Sequence, residues 1–104
     1  MPSTYTFLRP VEFESKTYKE ITLDMDSLNG NDMLNVERQF NAISGTHQTM
    51  MLKELSKEYQ LLVAARAARL PFEFFQSIGA QDFSRITIQV QNFFLNAESV
   101  ETGD

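Results

Sequence analysis

Residues 4–25 alternate between apolar and polar with a period of two, a pattern that suits a pleated strand and not a helix. Tyr5, Phe7, Val11 and Phe13 share one parity, while Thr4, Thr6, Glu12 and Glu14 share the other. One strand face is therefore aromatic and the other polar. Pro10 lacks the N–H that a central strand donates, which points to an edge strand. After a polar break at Glu14-Ser15-Lys16, alternation resumes from Tyr18 to Met25. Ile21, Leu23 and Met25 take one side there, and Glu20, Thr22 and Asp24 the other. Two short alternating runs joined by a few polar residues predict a β-hairpin. A lone hairpin is marginal in water, so the rest of the chain must cover its apolar face.

Helical spacing takes over beyond the hairpin. Asp26 to Asn31 reads as a loop, in which Asn29 or Asn31 can cap a helix starting near Asp32. Met33, Val36, Phe40 and Ile43 form its apolar stripe, and Ser44-Gly45 ends it. Thr46 can cap a second helix running towards Arg69, with Met51, Leu55, Tyr59, Leu62 and Val63 in helical register. The Ala64 to Ala68 stretch favours helix, and its small side chains permit close approach of a neighbour. Leu70-Pro71 interrupts the pattern and opens a short helix, Phe72 to Ile78, which stops at Gly79.

A last helix is predicted from about Gln81 to Asn96, with Phe83, Ile86, Val90, Phe93, Phe94 and Ala97 along one stripe. Ile86, Ile88 and Val90 alone would also fit a strand, and the length of the repeat favours the helix. The expected fold class is thus α+β and mostly helical, an N-terminal β-hairpin followed by three to four α-helices. With 104 residues the chain is the size of one domain, placed at residues 1–97, with an acidic tail at 98–104 expected to be disordered.

Composition argues against several function classes. The net charge is −5, and acidic chains supply few of the cations that drive binding to a nucleic-acid backbone. Lys53, Lys57, Arg66 and Arg69 are interleaved with Glu54 and Glu58, which reads as an ordinary solvated helix face. There is no cysteine for a disulfide, a thiolate nucleophile or a thiolate metal site. Neither a secretory signal nor a run of the ~20 apolar residues a membrane span needs is recognisable, so a cytoplasmic setting is expected.

Reactive constellations are equally scarce. The single histidine, His47, has no second histidine near it in sequence. No nucleophile elbow, Walker loop or dinucleotide fingerprint occurs. Asp24 to Asn35 fails as a calcium loop, since Leu28, Asn29 and Asn35 stand where an oxygen ligand, a glycine and a bidentate glutamate are required. Glu98 and Glu101 lie in the tail, away from any burial that would tune them for acid–base work. The chain is read as a non-enzyme with no catalytic, cofactor-binding or metal-binding residue.

Six of the nine phenylalanines fall in the last third of the chain. Adjacent helical residues point about 100° apart. By that geometry Phe74 and Phe75 should not both reach the centre of one small core, nor should Phe93 and Phe94. These four are the candidate partner-binding residues, with either another protein or a second copy of the chain as the partner. The alternative is a broad stripe packed under the hairpin.

Taken together, the segments resemble the phage tail assembly chaperones. Phe7-Leu8-Arg9-Pro10-Val11-Glu12-Phe13 and Lys16-Thr17-Tyr18-Lys19-Glu20-Ile21-Thr22-Leu23 resemble that family's N-terminal hairpin. Asp32, Leu61-Leu62-Val63-Ala64 and Leu70-Pro71 continue the likeness. Asp82, Ile86, Val90 and Phe93-Phe94-Leu95 are similar to its closing D…I…V..FL pattern. Ser15 departs from it, since such hairpins often carry glycine there. The resemblance implies a helper in the host bacterial cytoplasm that binds the tape-measure protein and keeps it soluble. It also implies delivery of the tail-tube protein, often through a C-terminally extended form. A structural tail component retained in the virion is the alternative. The family brings no catalytic motif.

Overall fold

A computed structural model describes residues 3–44 and 56–103, with side chains over 3–42 and 56–95. The chain opens with an antiparallel hairpin, β1 (Ser3–Phe13) and β2 (Lys16–Leu23). A 3₁₀ turn (Met25–Ser27) leads into helix α1 (Gly30–Ser44). Helices α2 (Lys57–Ala68), α3 (Phe72–Gln76) and α4 (Ala80–Gly103) follow. The fold is α+β and mostly helical, a hairpin followed by four helices.

Tyr5, Phe7 and Val11 are buried as their parity requires, and Ile21 and Leu23 join them from β2. The pairing is not continuous, however. Ser3 to Thr6 pair with Leu23 to Glu20, and the ladder resumes only at Val11, opposite Tyr18. Residues 7–10 thus lie opposite Lys19 alone, a wide bulge that contains Pro10. Proline fits there because no ladder bond is asked of it. The skip also shifts the phase of β2. Tyr18, of the opposite parity to Ile21, lies beside Val11 and packs on the same core.

The hairpin turns at Glu14-Ser15, whose φ values of 50° and 64° are both left-handed. Two central residues with positive φ define the type I′ turn, which matches strand twist but favours Asn-Gly. Here neither residue is glycine.

Helix α1 starts at Gly30, two residues before the predicted Asp32, and Asn29 is its cap. The Asp32 N–H donates to Asn29 Oδ1 at 3.0 Å, and the Asn29 N–H donates to Asp32 Oδ2 at 2.9 Å. This reciprocal pair is a capping box. Val36 and Phe40 bury the predicted stripe, with Met33 packed at its edge. Residues 45–55, which hold the proposed Thr46 cap, His47, Met51 and Leu55, lie outside the described residues.

Helix α2 is the central element. Tyr59 to Ala65 and Ala67 are all buried, so no broad solvent face remains along this stretch. Its middle is enclosed on all sides, because α1, α4, α3 and β2 all pack against it, and Gln60 is buried there among the apolar residues. Its small residues Ala64, Ala65 and Ala67 permit those close approaches. The helix ends in a Schellman motif. The Leu70 N–H reaches Ala65 O at 3.0 Å and the Arg69 N–H reaches Arg66 O at 3.3 Å. Arg69 holds φ 58°, the position glycine usually takes. Pro71 caps α3, which ends at Gln76 and not at the predicted Ile78.

Ile86, Thr87 and Val90 of α4 are buried, with Phe83 and Phe94 packed beside them, so 86–90 is helix and not strand. The helical backbone runs on to Gly103, past the predicted end at Asn96.

Replacing the turn by Glu14→Asn/Ser15→Gly should raise stability, since a left-handed conformation costs an L-residue roughly 1–2 kcal/mol. Thermal melts should rise by several degrees, at about 4–8 °C per kcal/mol for a domain near this size. An unchanged or lower midpoint would count against the I′ turn.

Candidate functional site

The polar junction of the fold is Asp82, in the first turn of α4. Its carboxylate is almost fully buried, at 1% exposure. Three donors from β1 converge on it. The Tyr5 hydroxyl donates to Oδ1 at 2.5 Å, the Leu8 N–H to Oδ1 at 2.8 Å and the Arg9 N–H to Oδ2 at 3.2 Å. The last two are amides that the bulge has withdrawn from the ladder. A buried amide without an acceptor is costly, so the carboxylate takes over the role β2 cannot fill. Burial alone would raise the pKa of Asp82. The Tyr5 hydroxyl, the two amides and the charge of Arg85 outweigh it and hold the carboxyl below its ordinary value. Burial, followed by the hydrogen bond and negative charge of Asp82, pushes the Tyr5 phenol up to about 12, against a small opposing effect of Arg85.

Other ties hold the helices together. Arg66 Nε lies 2.7 Å from Asp32 Oδ1, joining the end of α2 to the start of α1. The carboxyl of Asp32 sits below its ordinary range, first through the Asn29 amide and then through Arg66. Lys57 Nζ donates to Thr87 Oγ1 of α4 at 3.2 Å. Arg66 and Lys57 thus reach neighbouring helices, beyond the solvated-face role expected from i,i+4 spacing. The Asp24 N–H donates to Ala67 O at 3.2 Å, fastening the end of β2 to α2.

The four candidate phenylalanines divide into two pairs. Phe74 and Phe75 are fully buried, which corrects the expectation that one must face outward. The reason lies in α3. It packs on α2 while its Phe74 ring meets the hairpin, with centroids 6.0 Å from Phe7, 5.5 Å from Phe13 and 4.8 Å from Tyr18. A short helix wedged between two layers has protein on both sides, so directions 100° apart are both covered. These two residues are not available to a partner in this fold.

Phe93 and Phe94 are half-buried, with their rings edge to face at 5.5 Å. Phe94 packs against the core. Phe93 lines a groove of about 280 Å³ between α4 and the open end of the hairpin, across from Leu23 and Met25. A second groove, of about 420 Å³, lies between the 3₁₀ turn and the end of α2. Leu28, Leu70, Arg66 and Arg69 line it together with Asp32. Its arginine–carboxylate pair is already joined. Among the described residues, no group of three or more His, Asp or Glu could hold a metal ion. The larger groove is lined mainly by polar and charged side chains, and the smaller one by polar and apolar side chains alike. No protein-family model, curated protein or solved structure matches the chain.

Asp82→Asn should destabilise the fold by about 1–3 kcal/mol, because its single carbonyl oxygen can still accept from Tyr5 and Leu8 but its NH2 then faces the Arg9 N–H. The folded pKa of Asp82 lies below its unfolded value, so its contribution is complete above about pH 4 and fades as pH falls through the folded pKa. Denaturant unfolding from pH 2 to 7 should therefore show a flatter acid limb in the variant, with the share from Asp32 remaining. Tyr5 acts in the opposite direction. Its contribution is complete below about pH 10, the unfolded phenol value, and is lost towards pH 12. Tyr5→Phe should remove that alkaline loss.

Proposed function

We propose that this chain is a phage tail assembly chaperone, which binds the tape-measure protein in the host cytoplasm, keeps it soluble and promotes tail-tube assembly. The observation that carries the reading is where the resembling segments meet. Leu8 and Arg9 belong to the opening segment and Asp82 to the closing one, and the two are joined by direct hydrogen bonds. A pattern spread over most of the sequence thereby acquires a physical reason, since both ends build one junction. The hairpin-then-helices order agrees with the architecture the resemblance implies. Among the described residues, no helix is long and apolar enough to cross a membrane.

The activity requires no catalytic group. A long helical client with an exposed apolar face aggregates until something covers that face, and a complementary surface does so by helix-in-groove recognition. Several copies along one client gain avidity without any contact being strong. The tail-tube protein would be recruited through an extended form of the chain.

Co-expression with the tape-measure protein of the same phage should increase the soluble yield of that client. An unchanged yield would overturn the reading. Mass spectrometry of purified virions should find the chain missing, whereas a stoichiometric presence would assign it to the finished tail.

A further inference from the structure

Asn29-Gly30 is the one place in the chain where asparagine precedes glycine. An asparagine carries its side-chain amide carbon within reach of the next residue's backbone nitrogen, and joining the two forms a cyclic imide. A side chain on the following residue obstructs that closure, and glycine has none. Every other asparagine of the chain precedes a residue that has one. Both Asn29 and Gly30 are exposed, so water reaches them. A Cβ built on Gly30 would meet nothing within 4 Å, so no neighbouring group shields the backbone there. The Gly30 N–H also lies in the first turn of α1, where the helix itself offers no carbonyl partner.

The capping box holds this site closed. Asn29 Oδ1 accepts from the Asp32 N–H at 3.0 Å, and the Asn29 N–H donates to Asp32 Oδ2 at 2.9 Å. Both bonds are exposed, and the end of a helix opens more readily than its middle.

We propose that Asn29-Gly30 is a self-modification site, at which the chain releases ammonia when the capping box opens. The Gly30 nitrogen attacks Asn29 Cγ, forming the N–Cγ bond and giving up its proton. The Cγ–Nδ2 bond breaks, and Nδ2 departs with that proton as ammonia. Water then opens the ring. Cleavage of the new N–Cγ bond leaves aspartate at position 29. Cleavage at the main-chain carbonyl leaves isoaspartate, with the backbone routed through the former side chain. Either way an amide and water become a carboxylic acid and ammonia, without oxidant or cofactor. Once that acid ionises, the net charge of −5 becomes more negative by one.

The two products affect α1 differently. Aspartate ranks with asparagine as a cap and keeps an oxygen within reach of the Asp32 N–H. Isoaspartate adds a carbon to the main chain and moves the acceptor out of the cap position. The first turn then loses its box, and with it the placement of Asp32 against Arg66.

The test follows the purified full chain over days at neutral and mildly alkaline pH. Peptide mapping by mass spectrometry locates the exchange of NH2 for OH, and chromatography separates the aspartate and isoaspartate forms. Conversion should concentrate at Asn29 and accelerate with pH, because the attacking nitrogen must shed its proton. Gly30→Ala should slow it by at least about tenfold. That variant should keep or raise the melting temperature, since the added methyl meets open space and alanine favours helix. A synthetic peptide of residues 24–35, which lacks the folded box, should convert several-fold faster than the intact chain. The isoaspartate fraction should melt below fresh protein, whereas Asn29→Asp should melt with it. Conversion spread evenly over the asparagines, an undiminished rate in Gly30→Ala, or a folded chain as fast as the peptide would each overturn the assignment.

Discussion

One buried carboxylate joins the two halves of this fold. Without Asp82, the bulge of β1 would leave the part-buried Leu8 and Arg9 amides without this acceptor, and the buried Tyr5 hydroxyl would lose its partner. With it, α4 is fixed against the hairpin at a definite height and rotation, because three donors in different directions allow one geometry. The arrangement also explains why the bulge is tolerated. A two-stranded ladder that skips residues 7–10 loses bonds it can hardly spare, and a side chain from a distant helix replaces two of them. Across the bulge Phe7 and Val11 stay on one buried face, as their parity requires, while Leu8 to Pro10 are exposed.

Hydrophobic packing then follows from the position of α2. It is covered by α1, α4, α3 and β2, and this enclosure buries the apolar run Leu61 to Ala65 on all sides, with Tyr59 and Gln60 beside it. The aromatic cluster around Phe74 seals the remaining side of the hairpin. Edge-to-face pairs with Phe13 and Tyr18 each add about 0.5–1.5 kcal/mol beyond area burial. The fold accepts strain in exchange, at Glu14, Ser15 and Arg69, where the chain turns left-handed without glycine. All three sit where a strand or helix must end abruptly so that the next element can pack back on the core.

The surface separates into regions of different chemistry. The start of α1 and the end of α2 carry charges that pair with one another, Asp32 with Arg66. The outer side of α4 carries none across Ile88 to Leu95 and borders a groove of mixed polar and apolar lining.

Periodicity in the sequence was enough to determine the hairpin, the helices and most of the core, because the face an element buries is a local property of residue spacing. Tyr5, Val36, Phe40, Ile86 and Val90 were all legible in this way. Spacing says which face is apolar but not what meets it. The roles of Asp82 and Tyr5 depend on residues 77 positions apart, and no local pattern marks a carboxylate that will be buried. The burial of both Phe74 and Phe75 was hidden for the same reason, since it requires a layer on each side of a short helix. The groove beside α4 was half visible. Phe93 and Phe94 stood out as an aromatic pair, but only the tertiary structure separated Phe93, which lines the groove, from Phe94, which packs on the core, and brought Leu23 and Met25 across from α4.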